Sequence, residues 1–193
     1  MTGVRGGALP LIFVAGFAAL IAGFLVALQG PSVLPLRIGS NAPELHLARL
    51  SGEKLSMADL RGRVVFVNFW GTWCAPCRTE APSLERMYRK LKPEGFEILA
   101  VSIDAPGARD EVVAFRDEFE LSFPILLDPG KEVYRAYQAT GVPETFMLDR
   151  DGRLVERLIG PRDWDQPRYQ EAVRRLLTAN GPAQSPAGVS GDG

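Results

Sequence analysis

Val64-Val65-Phe66-Val67-Asn68-Phe69-Trp70 runs directly into Gly71-Thr72-Trp73-Cys74-Ala75-Pro76-Cys77. The first segment is almost continuously apolar, with β-branched and aromatic side chains, which is the pattern of a strand buried on both faces. Downstream, Leu84, Met87, Tyr88 and Leu91 recur at helical spacing, and Phe96 to Ile103 repeats the buried-strand pattern. Strand, helix, strand implies a right-handed parallel crossover. The cysteine pair therefore falls where the first strand hands over to the helix, the context that gives a Cys-x-x-Cys motif its meaning.

A thiol at the first turn of a helix meets unpaired backbone N–H groups and the positive end of the helix dipole, so its pKa falls below the ordinary ~8.5. On that reading Cys74 is the exposed attacking nucleophile, and Cys77, one turn further in and more buried, keeps its proton longer and resolves a mixed disulfide. These are the only two cysteines in the chain, so they cannot form a structural disulfide framework. A zinc site needs about four ligands, and the single histidine, His46, lies far away in sequence. Covalent haem attachment needs histidine directly after the second cysteine, where Arg78 stands. No cofactor or metal is expected, and His46 reads as a surface hairpin residue.

Working outward, Ala42 to Leu47 and Lys54 to Met57 flank Ser51-Gly52 as a small hairpin or pair of extended segments. Asp110 to Phe119 has a helical pattern, followed by a short strand near Pro124 to Leu127 and a helix near Lys131 to Tyr137. Thr145 to Leu148 and Leu154 to Ile159 read as strands joined through Asp149-Arg150-Asp151-Gly152, where a glycine after aspartate suits positive φ. Gln166 to Leu177 is the closing helix.

Upstream, Ala8 to Leu28 is 21 residues without a charge, which as a helix spans ~31 Å, the thickness of a bilayer core. It is longer than the apolar stretch of a cleaved signal peptide, so an uncleaved anchor is the better reading. Arg5 precedes it and Arg37 is the next basic residue; the positive-inside rule then puts the N-terminus in the cytoplasm and the folded part outside, where thiols can cycle through disulfides. The expected layout is a cytoplasmic tail at 1–7, a transmembrane anchor at 8–28, a linker at 29–37, one folded domain at 38–178 and a disordered tail at 179–193. A net charge of -1 with interspersed signs leaves no electrostatic footprint for nucleic acid.

From Asn68-Phe69-Trp70-Gly71-Thr72-Trp73-Cys74-Ala75-Pro76-Cys77-Arg78, with Glu80, Pro82 and Gly141-Val142-Pro143-Glu144-Thr145-Phe146, the chain resembles the thioredoxin superfamily. The likeness is closest to its membrane-tethered TlpA/ResA/CcmG (DsbE)-like thiol-disulfide reductases of cytochrome c maturation, and covers about residues 38 to 178. It implies an α/β thioredoxin-like fold with a central mixed sheet flanked by helices, an N-terminal hairpin extension and a preceding transmembrane helix. It also implies a cis bond at Val142-Pro143 beside the disulfide, with neighbouring backbone that pairs with substrate like an added strand. Trp73 and Glu144 join Val142 and Pro143 as expected substrate contacts, while Pro82 is expected to kink the long helix. The buried aspartate of ordinary thioredoxins is Asn68 here, so Glu80, three residues after Cys77, is the expected proton acceptor.

The resemblance implies a disulfide-containing protein substrate, the haem-attachment cysteines of apocytochrome c, and a transmembrane thiol donor of DsbD or CcdA type. Reductases for copper-site cysteines in oxidase assembly, or for general targets, fit the same residues. A disulfide-forming oxidase is disfavoured because Ala75-Pro76 carries no histidine, a copper chaperone because His46 is isolated, and a peroxidase because no separate peroxidatic cysteine exists.

Overall fold

The computed structural model describes residues 16–17, 19–21, 23 and 35–179. The chain divides into two units, Met1–Pro35 and Leu36–Gly193. In the first, residues 16–17, 19–21 and 23 are helical, with Phe17 and Leu20 exposed. Among the described residues no helix is long and apolar enough to cross a membrane. The tail at 1–7, most of the anchor at 8–28, most of the linker and the tail beyond 179 lie outside them.

The second unit carries a seven-stranded mixed sheet. Its strands are β1 (His46–Arg49), β2 (Lys54–Ser56), β3 (Val64–Trp70), β4 (Phe96–Ser102), β5 (Ile125–Leu127), β6 (Glu144–Leu148) and β7 (Leu154–Ile159). In space the order is β2-β1-β5-β4-β3-β6-β7. β3, β4 and β5 run parallel, while β6 and β7 on one side and β1 and β2 on the other run antiparallel. Among the described residues of the unit there are four α-helices: α1 (Ala75–Leu91), α2 (Arg109–Glu118), α3 (Glu132–Ala136) and α4 (Pro167–Thr178).

The period-2 alternation of β3 explains its composition. Val64, Phe66 and Trp70 enter one apolar cluster with Leu84, Met87, Tyr88 and Trp164. Val65, Val67 and Phe69 enter the other, with Leu99, Val101, Tyr137 and Phe146. Both faces are covered, so an uninterrupted apolar run is what the strand needs. Asn68 is the polar exception, and it belongs to the α1 face.

The Ser51-Gly52 hairpin forms as expected, but Met57 leaves the extended segment for a 3-10 turn, Met57–Leu60. The reason is local: Asp59 accepts hydrogen bonds from the Ser56 N–H and hydroxyl, both at 2.9 Å, which caps the turn one residue earlier. In the Asp149 to Gly152 turn, Asp149 Oδ1 accepts from the N–H groups of Asp151 and Arg153, and Gly152 takes φ +76°. Pro82 lies within α1, and the helix runs on through it.

Candidate functional site

β3 ends at Trp70 and α1 begins at Ala75, so four residues carry the chain from sheet to helix. Cys74 N–H bonds back to Gly71 O at 3.1 Å, closing a tight turn. A Cβ at Gly71 would stand 2.8 Å from the Trp73 indole, so any other residue there would displace that ring. Trp73 thereby lies over the turn, 64% exposed, while Trp70 is buried in the core.

Cys74 and Cys77 are joined as a disulfide. Cys74 is the N-cap of α1, and its Sγ accepts the Cys77 N–H at 3.2 Å, the arrangement that favours negative charge on that sulfur. The expected contrast in exposure does not hold: Cys74 is 3% and Cys77 2% accessible. In the disulfide the Cys74 sulfur is turned inward onto the helix N-terminus, so helix position and not accessibility distinguishes the two.

Glu80 is buried, one turn beyond Cys77. Asn68 Nδ2 donates to its Oε1 at 3.1 Å and also to Thr145 Oγ1 at 2.9 Å, tying α1, β3 and β6 together. The Arg162 N–H donates to Oε2 at 3.1 Å. Burial pushes the carboxyl up to about 7, against the opposing pull of the Arg162 and Asn68 donors. The indole of Trp164 also faces the carboxylate and favours its charged form, although its Nε1 does not reach hydrogen-bond geometry. Cys77, Glu80, Asn68 and Trp70 line one small cavity of about 10 Å³, so the carboxyl and the second cysteine border the same space.

The Val142–Pro143 bond is cis. β6 is paired antiparallel with β3 up to Phe69–Glu144, and one further step brings Pro143 level with Trp70, at the edge where the cysteine turn begins. Pro143 O accepts the Gly160 N–H at 2.9 Å. Sheet register alone therefore gathers two motifs that lie some 65 residues apart in sequence.

Glu144 takes a different place from the expected substrate contact. Its side chain is fully buried and ion-paired with Arg157 Nε. Its Oε2 accepts from the N–H groups of Thr140 at 2.8 Å and Gly141 at 3.3 Å, and Arg157 Nη2 donates to Gln138 O at 2.9 Å. The carboxylate faces inward because the chain entering Val142–Pro143 needs these bonds, so Glu144 shapes the loop and does not present itself to a partner. Arg157→Ala leaves that buried carboxylate with neutral donors only, two amides and the Thr140 hydroxyl at 3.4 Å, all on Oε2. The expected cost is about 2 kcal/mol, read as a fall of roughly 6–10 °C in the thermal midpoint.

Arg157, Arg162, Thr145, Thr72 and Asp104 are site residues that sequence reading missed. Arg157 and Arg162 come from β7 and the loop after it, and only the folded sheet brings them near the motifs. Asp104 had a signal, an acidic residue directly after a buried strand. His46 is exposed on β1, as expected, and among the described residues there is no cluster that could hold a metal.

A disulfide at the first turn of the helix following a central strand, with a cis-proline at the head of the neighbouring strand, defines a thioredoxin-like thiol-disulfide oxidoreductase. Residues 38–157 match the AhpC/TSA family. The chain is 40% identical over 138 residues to the thiol-disulfide oxidoreductase ResA of Geobacillus kaustophilus, covering 71% of this chain and 78% of that protein. The ResA of Bacillus cereus is 38% identical over 131 residues, covering 68% and 75%. A crystal structure assigned as the thiol:disulfide interchange protein DsbE of Chlorobium tepidum superimposes with a TM-score of 0.68 at 30% identity, covering 74% of this chain and 99% of that one. StoA of Bacillus subtilis gives 0.58 at 25% identity, covering 67% and 96%. The chain belongs to the AhpC/TSA family, and within it to the ResA/DsbE-like thiol-disulfide oxidoreductases.

Proposed function

We propose that this oxidoreductase works as a membrane-anchored reductant outside the cytoplasm, reducing the oxidised Cys-x-x-Cys-His haem-attachment cysteines of apocytochrome c. The observation that carries the reductive reading is Glu80, a buried carboxyl held near pKa 7 in the cavity that Cys77 also lines. The ResA and DsbE likenesses support thiol-disulfide exchange, and the resemblance of the Gly141 to Phe146 motif to cytochrome-maturation reductases is the reason for choosing this substrate class. The apolar Ala8 to Leu28 segment supports the anchor.

In the proposed cycle the Cys74 thiolate attacks one sulfur of the partner's disulfide, forming a mixed disulfide and releasing the partner's other sulfur as a thiolate that takes up a proton. Glu80 accepts the Cys77 proton, and the Cys77 thiolate attacks Cys74 Sγ. The partner leaves as a dithiol, and the Cys74–Cys77 disulfide stores the two oxidising equivalents. A transmembrane thiol donor of DsbD or CcdA type returns the pair to the dithiol.

The test is to equilibrate the chain with a thiol-disulfide buffer and then offer an oxidised Cys-x-x-Cys-His peptide. A potential near roughly -270 mV with stoichiometric peptide reduction is the expected result. A value near -120 mV describes an oxidant and removes the proposal. A low potential with no preference for this peptide over a copper-site cysteine peptide moves the substrate to the oxidase-assembly class.

A further inference from the structure

Behind the cysteine turn lies a buried carboxylate that the cycle above does not use. Asp104 directly follows Ile103, at the carboxyl end of β4, and is 5% exposed. The Thr72 N–H donates to both its oxygens at 3.1 Å, the Thr72 hydroxyl donates to Oδ1 at 2.7 Å, and the Ser102 hydroxyl donates to Oδ2 at 2.7 Å. Thr72 is in the middle of the four-residue turn and stands two residues before Cys74, a chain distance of at most about 7 Å. Three donors on one buried carboxylate are more than the turn needs for shape, since Gly71 O already accepts the Cys74 N–H.

We propose that Asp104 is a positioning residue that sets the reactivity of Cys74 through Thr72, its negative charge opposing the thiolate that the α1 N-terminus favours. The inference rests on Cys74 being the attacking thiol. A neighbouring negative charge disfavours the thiolate. A stabilised thiolate makes a dithiol couple more oxidising. Asp104 therefore holds the couple on the reducing side of what an unopposed helix N-terminus gives. The donors from Thr72 and Ser102 temper the charge, so removing a donor and removing the charge act in opposite directions.

Other charged groups border this end of the sheet. Arg78 on α1 is paired with Glu118 on α2. Arg109 at the start of α2 donates to Leu50 O, and Asp128 after β5 accepts the N–H groups of Glu132 and Tyr134. Both line a pocket of about 70 Å³ with Asp104. Glu80 lies on the Cys77 side with Arg162. Each of these already has an ion-pair or hydrogen-bond partner away from Thr72, which leaves Asp104 as the charge bonded to the turn itself.

The test compares the full chain in detergent with Asp104→Asn and Ser102→Ala, reading the pH profile of Cys74 alkylation and the exchange constant with glutathione. The asparagine variant keeps one acceptor for Thr72 and loses the charge. The alkylation midpoint is expected to move to lower pH and the exchange constant to shift threefold to tenfold towards the reduced protein, at most about 30 mV. Ser102→Ala removes a donor from Oδ2 and leaves the turn untouched; both readouts are expected to move the other way, by about twofold. Shifts of the same sign in both variants describe a loosened turn and overturn the proposal, as do unchanged readouts. If Asp104→Asn does not fold, Thr72→Val replaces it: like Ser102→Ala it must raise the midpoint, and no rise overturns the proposal. An unsubstituted chain that does not exchange with glutathione overturns the site itself; an unshifted Asp104→Asn overturns this inference alone.

Discussion

Cys74→Ser is expected to abolish disulfide exchange, with a loss of at least about a thousandfold, whereas Cys77→Ser keeps the first step and traps the partner. The asymmetry follows from the turn between β3 and α1. Cys74 is the N-cap, and its sulfur accepts the Cys77 N–H, so a thiolate there is held by the helix terminus. Serine is not an appreciable nucleophile at that position, because its hydroxyl stays protonated without a general base beside it. Cys77 lies inside the first turn, where it lines the cavity with Glu80 and is bonded to Cys74. Without it the mixed disulfide on Cys74 has no resolving thiol. Non-reducing electrophoresis after mixing with an oxidised Cys-x-x-Cys-His peptide reads both outcomes. A trapped species in Cys74→Ser and none in Cys77→Ser reverses the assignment.

Much of this site was legible because its motifs are contiguous. A seven-residue strand that is apolar except for Asn68, followed by a Cys-x-x-Cys, leaves few alternatives, since a strand covered on both faces needs that run and a parallel crossover needs the helix. The sequence reading singled out Asn68 and Glu80 separately, and the structure pairs them: Asn68 is the one polar residue in β3, and its period-2 neighbours Phe66 and Trp70 face α1. Burial of side chains was harder to read. Glu144 looked like an acidic residue beside the cis-proline and free to meet substrate, yet Arg157, on the next strand, claims it. Nothing local announces that partner, because it depends on the β6–β7 register, in which Phe146 and not Glu144 is opposite Arg157. The exposure of Cys74 was misread because a thiol at a helix N-terminus is accessible by default, whereas the disulfide turns its sulfur onto the Cys77 amide.

Glu80→Gln is expected to slow resolution of the mixed disulfide by about a hundredfold and to flatten its pH dependence near neutrality, the range general acid–base catalysis supplies. The carboxyl is held at about 7 by burial, so near that pH it exists in both forms, and the proposed relay from Cys77 would cost little in either direction. Glutamine fills the same space and retains an oxygen for Asn68, but it cannot take the proton. The same substitution leaves a thermodynamic signature that a purely chemical role does not explain. Because the folded pKa of Glu80 lies above its unfolded value, the native state binds the proton more tightly, and this contribution to stability is complete below pH ~4.5 and lost as pH rises through about 7. A rise from 4.5 to about 7 corresponds to about 3 kcal/mol. Glutamine carries no such linkage, and the altered bonding to the Arg162 N–H adds only an offset common to all pH values. Denaturant titrations at pH 4 and pH 9 should therefore show Glu80→Gln gaining on the unsubstituted protein by about 3 kcal/mol between the two. A stability difference that does not change with pH means that Glu80 titrates at its unfolded value and is fully ionised near neutrality. In that case the Cys77 proton goes directly to solvent, and the slow step in the variant reflects lost geometry alone.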